Sequence, residues 1–83
     1  MPSAFLLINT KSGFEPRFID DLKKTKEVVD AFALYGVYDI IVKVEAESMA
    51  KLNEVQRRIR NLKWVGSTLT MIIIGEVLEK ADV

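Results

Sequence analysis

Apolar positions along the chain fall into six stretches whose spacing switches between that of strands and that of helices. Ala4-Phe5-Leu6-Leu7-Ile8 is a short continuous apolar run ending at Asn9, and its length suits a strand buried on both faces better than a helix. Ser12-Gly13 breaks the pattern, and Pro16 follows where a first helical turn tolerates a missing N–H. Phe18, Ile19 and Leu22 then share one helical face, with Arg17, Asp20, Asp21 and Lys24 turned away. From Val28 to Tyr35 the chain alternates as a strand, with Val28, Phe32 and Leu34 on one side of the pleat and Val29, Ala31, Ala33 and Tyr35 on the other. Gly36 lies in the next connection, where a tight turn can require positive φ. Ile40, Val42 and Val44 alternate with Ile41, Lys43 and Glu45 in a third strand, which forms an antiparallel hairpin with the second.

Ser48 is placed to cap a second helix, whose apolar residues Met49, Leu52, Val55, Ile59 and Leu62 recur at helical steps. Its outer face carries Lys51, Glu54, Arg57, Arg58 and Asn61, and Trp64-Val65-Gly66 leads into a last strand from Thr68 to Ile74 that Gly75 ends. The order is βαββαβ, and its halves repeat weakly at an offset of 37 residues: Phe5 maps to Val42, Leu7 to Val44, Phe18 to Val55, Leu22 to Ile59, Val28 to Val65 and Phe32 to Leu69. Right-handed βαβ crossovers put both helices on one face of a four-stranded antiparallel sheet. The expected fold is an α+β, ferredoxin-like sandwich, a single domain over residues 1–83. With Ile40, Val42, Val44, Leu69, Met71 and Ile73 facing the helices, the bare face is expected to hold Ile41, Ile72, Ile74 and one side of the first strand. An apolar patch of that extent usually marks an interface, and two sheets stacked face to face would bury it in a dimer.

The chain has 83 residues, enough for one domain with a thin core, so self-association would add stability. Twelve basic and twelve acidic residues cancel, which argues against bulk attraction to nucleic acid or an anionic membrane. The absence of cysteine and histidine removes disulfides, thiolate and imidazole chemistry and the common zinc and haem ligand sets, so no cofactor is expected. No apolar run approaches the roughly 18–20 residues that span a bilayer, and a cytoplasmic protein without a membrane partner is expected.

At Tyr35-Gly36-Val37-Tyr38-Asp39, followed by the alternating strand from Ile40 to Val44, the chain resembles the Gly-x-Tyr-Asp signature of the Lrp/AsnC effector-binding domain. The resemblance extends to the opening strand, to the helix entered after Glu45-Ala46-Glu47 and to Ser67-Thr68-Leu69-Thr70-Met71. Two turns depart from it, since the family often has Pro-Gly-Val after each helix where this chain has Lys26-Glu27-Val28 and Lys63-Trp64-Val65. The family's regulators carry an N-terminal helix-turn-helix. None precedes Met1-Pro2-Ser3, so direct DNA binding is not expected and a full-length Lrp-type regulator is a candidate partner. The resemblance implies sheet-packed dimers, rings of dimers, and an amino acid or similar small effector in a cleft between dimers. Carried onto this chain, the ligand-binding candidates are Tyr35, Gly36, Val37, Tyr38 and Asp39, with Ser67, Thr68 and Thr70 opposite. A zwitterionic ligand needs an acceptor for its ammonium, which Asp39 can supply, and donors for its carboxylate, which Ser67, Thr68 and the amides around Gly36 can supply.

Plainer roles compete for the same residues. Gly36 and Asp39 also suit a hairpin turn, Tyr35 and Tyr38 an interface, and Thr68 and Thr70 a strand. Arg57, Arg58, Arg60 and Lys63 read as a solvated helix face on which Glu54 pairs with Arg58, and Trp64 as a cover for the core's end. Two other functions stand beside the sensor. One is a small dimeric α/β-barrel enzyme of monooxygenase or isomerase type, for which only Asp39, Tyr38, Lys43 and Glu45 are available; the other is a purely structural assembly module.

Overall fold

The computed structural model describes residues 1–75. Six elements follow in the expected order: β1 (Ser3–Thr10), α1 (Pro16–Lys23), β2 (Val28–Ala33), β3 (Ile40–Glu45), α2 (Met49–Arg60) and β4 (Val65–Ile73). The strands form one antiparallel sheet in the order β2-β3-β1-β4, so the fold is the ferredoxin-like α+β sandwich. Phe18 and Leu22 of α1 and Leu52, Val55 and Ile59 of α2 are buried in one cluster with Ala4, Leu6, Ile8, Ile40, Val42 and Val44, which places both helices on the same sheet face. The helices start where the sequence allows: Pro16 opens α1, and the Ser48 hydroxyl accepts from the Lys51 N–H at 3.1 Å, a cap of the kind that contributes about 1 kcal/mol.

The 37-residue repeat is visible in the backbone where each helix turns into its strand. The N–H groups of Thr25 and Val28 donate to the carbonyls of Leu22 and Thr25, and those of Leu62 and Val65 donate to Ile59 and Leu62, bond for bond at the same offset. Both strands then bulge at equivalent positions. Val28 pairs with Val44 and Asp30 with Lys43, leaving Val29 over; Val65 pairs with Thr10 and Ser67 with Asn9, leaving Gly66 over. The correspondence fails in the first strands of each half, because Leu6, not Phe5, lies across from Val42 on the helix side.

These bulges overturn two expected face assignments for one reason. An extra residue after the first strand position inverts every side chain beyond it. In β4 the helix face therefore receives Thr68, Thr70 and Ile72, which lie across from Ile8, Leu6 and Ala4, while Leu69, Met71 and Ile73 pass to the open face across from Leu7, Phe5 and Ser3. In β2 Val28 shares its face with Ala31 and Ala33, and Phe32 joins the open face beside Ile41. The expected positive-φ glycine also moves: Gly36 does not adopt it, and Gly13 in the β1–α1 connection does, at φ 98°.

Gly66 is required by closeness of approach. A Cβ on it would sit 3.1 Å from the Asn9 carbonyl oxygen, whereas one on Gly36 would meet nothing within 4 Å. Gly66→Val is expected to lower stability by about 1–3 kcal/mol in urea unfolding, because backbone has to move, and Gly36→Ala by much less. Equal effects at the two sites would remove the bulge from this account.

Candidate functional site

The hairpin connection Leu34–Asp39 leaves the sheet at the end where β1 finishes and β3 and β4 begin. Its ends are tied by the Leu34 N–H donating to the Asp39 carbonyl at 2.8 Å, and it is docked on β1 by the Asp39 N–H donating to the Ile8 carbonyl at 2.9 Å. The Asp39 carboxylate makes the tighter anchor. Its Oδ2 accepts from the Thr10 N–H at 2.8 Å and from the Thr10 hydroxyl at 2.9 Å. The end of β1 thus holds the loop through two bonds to one charged oxygen, each of the stronger charge-assisted kind. Thr10 was not singled out in the sequence; only its place at the end of a strand adjoining the loop reveals it.

The loop presents its other candidates outward. Tyr35, Gly36 and Val37 are exposed, and Tyr38 and Asp39 are half-buried. Across β1, Ser67 lies opposite Asn9, Thr68 opposite Ile8 and Thr70 opposite Leu6. The topology therefore brings Asp39, Ser67 and Thr68 to one end of the sheet but keeps β1 between them, two strand spacings or about 10 Å across. Thr70 stands two residues further from that end. Three surface cavities of about 410, 320 and 300 Å³ are lined by other residues.

The polar residues available for catalysis do not converge. Lys43 Nζ pairs with Glu45 Oε2 at 3.6 Å at the far part of β3, while Asp39 is engaged by Thr10 at its near end. Among the described residues no group of three acidic side chains is arranged to hold a metal. On α2, Glu54 Oε1 pairs with Arg58 at 3.2 Å and with Lys51 at 3.4 Å, as the helical spacing predicts. Trp64 stacks on Phe18 at 4.2 Å between ring centroids, and its indole N–H donates to Asp21 Oδ2 at 3.0 Å, so it covers the end of the core.

A sequence model described as the Lrp/AsnC ligand binding domain matches residues 3–83. The chain belongs to that family. An HTH-type transcriptional regulator of Pyrococcus horikoshii, FL11, is 31% identical over 71 residues, covering 86% of this chain and 47% of the regulator. The chain thus spans about half the length of the curated regulators it matches. Homocitrate synthase of Sulfurisphaera tokodaii is 45% identical over 52 residues, 63% of this chain but 11% of the enzyme. Among solved structures, a hypothetical protein of Pyrococcus horikoshii is 38% identical with a TM-score of 0.81, covering 92% of this chain and 93% of that one. E. coli AsnC is 26% identical with a TM-score of 0.82, covering 98% of this chain and 56% of that one. The Lrp/AsnC domain seen here is thus matched both by a solved chain of similar length and by part of a longer regulator. No helix of the described residues is long and apolar enough to cross a membrane.

The anchor predicts a coupling. Thr10→Val and Asp39→Asn should each lower stability by about 1–3 kcal/mol, and the double variant should lose clearly less than the sum, as groups sharing one bond do. Additive losses in urea unfolding would mean that the two side chains do not act together.

Proposed function

We propose that this domain is an amino-acid-type effector-binding and oligomerisation module, which modulates transcription or amino-acid metabolism without contacting DNA itself. The reading rests on the open sheet face. Phe5, Leu7, Phe32, Ile41, Leu69, Met71 and Ile73 lie together there, with Phe32 58%, Leu69 46% and Met71 45% exposed. Fully burying one such side chain is worth roughly 1.5–3 kcal/mol. Covering this face with a second copy would therefore gain several kcal/mol before the costs of association.

The loop supports the ligand half of the reading. With Asp39 Oδ2 occupied by Thr10, Oδ1 is the oxygen left to accept an ammonium group, and the fully exposed Tyr35 ring and the exposed Val37 offer apolar surface. A pocket completed by a second dimer, with Ser67 and Thr68 as donors to a carboxylate, accommodates that arrangement. A full-length regulator of the same family is then a natural partner for mixed assembly. The matched segment forms about a ninth of a homocitrate synthase and about half of a regulator, which fits an attached sensing unit better than a catalytic body.

Isothermal titration of the domain with each of the twenty amino acids is expected to show saturable binding of at least one, lost in Asp39→Ala with the assembly size unchanged. Absence of binding to all twenty by an intact assembly would leave a structural assembly module as the better description.

A further inference from the structure

The open sheet face is not uniformly apolar. Register sets its side chains in rows: Glu45, Ser3 and Ile73 in one, Asp30, Lys43, Phe5 and Met71 in the next, Phe32, Ile41, Leu7 and Leu69 in a third, and Asn9 with Ser67 nearest the Leu34–Asp39 loop. Asp30, Lys43 and Glu45 are the charged side chains of this face among the described strands, and they stand together on β2 and β3. Lys43 is its one cation.

Lys43 does not reach outward into water. Its Nζ stands 3.6 Å from Glu45 Oε2 and 6.0 Å from the centre of the Phe5 ring, so the ammonium lies along the sheet beside apolar surface. The Lys43 and Glu45 side chains are already only 34% and 38% exposed. Asp30 lies directly across from Lys43 on β2, and its carboxylate has no ion pair or hydrogen bond among the described residues. Lys43 thus sits between Phe5 on one neighbouring strand and Asp30 on the other.

That position ties the charge to the apolar face. Paired side chains on neighbouring strands stand about 5 Å apart, so a cover that removes Phe5 from water removes Lys43 as well. Burying an ion pair costs more in lost hydration than the pair's attraction returns unless further polar groups meet both charges. An uncharged apolar surface offers none. A second copy of this chain offers them at both ends of its face, through the Ser3 hydroxyl at one and the Asn9 amide and Ser67 hydroxyl at the other, with its own Lys43 between.

We infer that Lys43 is the residue on which assembly through this face turns: a second copy covers it together with Asp30 and Glu45, and the three charges are held there as one ionic cluster that polar groups of the partner's face complete. The assignment rests on the sheet-face assembly proposed above and adds to it a division of labour. The apolar rows supply the affinity, and the cluster decides what can cover them, because removing its cation leaves two carboxylates buried without a counter-charge.

Sedimentation equilibrium over a concentration series, comparing the wild type with Lys43→Met and with the triple variant Asp30→Asn, Lys43→Met, Glu45→Gln, tests this. None of the three side chains belongs to the helix-side core, so circular dichroism is expected to be unchanged. Lys43→Met keeps the apolar stem and is expected to weaken association at least about tenfold, as breaking a buried pair does. The triple variant has no ions left to bury and is expected to associate as tightly as the wild type or more tightly. Unchanged association in Lys43→Met, or a triple variant as weak as Lys43→Met, would overturn the assignment. A wild-type domain that stays single would remove the assembly itself, whereas one that assembles and is dissociated by Leu69→Lys but not by Lys43→Met would overturn the ionic cluster alone.

Discussion

The pairing register between β1 and β4 decides what this domain can be. With Leu7 across from Leu69 and Phe5 across from Met71, the large side chains of both strands share the sheet face that no helix covers. A shift of one residue would turn them inward and leave threonines outside. The register is set by the bulge at Gly66, where β4 comes within 3.1 Å of the Asn9 carbonyl measured from a side-chain position that glycine leaves empty. A local backbone detail thus adds three large side chains of β4 to an open face that Phe5, Leu7, Phe32 and Ile41 already make apolar.

The same constraint separates what the sequence makes legible from what it hides. Element order, the Ser48 cap, the helical face of Leu52, Val55 and Ile59, and the Glu54–Arg58 pair follow from periodicity and propensity, which act over a few residues. The β2 and β4 faces do not, because strict alternation carries no mark of a bulge and Val29 looks like any strand residue. The 37-residue repeat extends to the bulges themselves, yet the repeat alone does not announce that both halves skip a residue. Family resemblance located the Gly36–Asp39 loop; the partner of Asp39, Thr10, lies 29 residues away and emerges only when β1 and β3 are placed side by side.

Near-symmetry in the backbone frees the side chains to differ. Each helix-to-strand turn uses the same hydrogen bonds, but Trp64 seals one end of the core while Glu27 is left facing a cavity at the other. The two ends of the sheet therefore have different chemistry: an anchored, aromatic loop at one, a charged recess at the other.

Sedimentation equilibrium of the wild-type domain and of Leu69→Lys tests the central claim most directly, since this substitution places a charge among the apolar side chains of the open face, on the edge strand β4, without entering the helix-side core. The account predicts assemblies in even multiples of the 9.4 kDa chain for the wild type and a shift toward single chains for the variant, with circular dichroism unchanged. A wild-type domain that sediments as a single chain at high concentration, or a folded Leu69→Lys variant with an unaltered assembly, would contradict it.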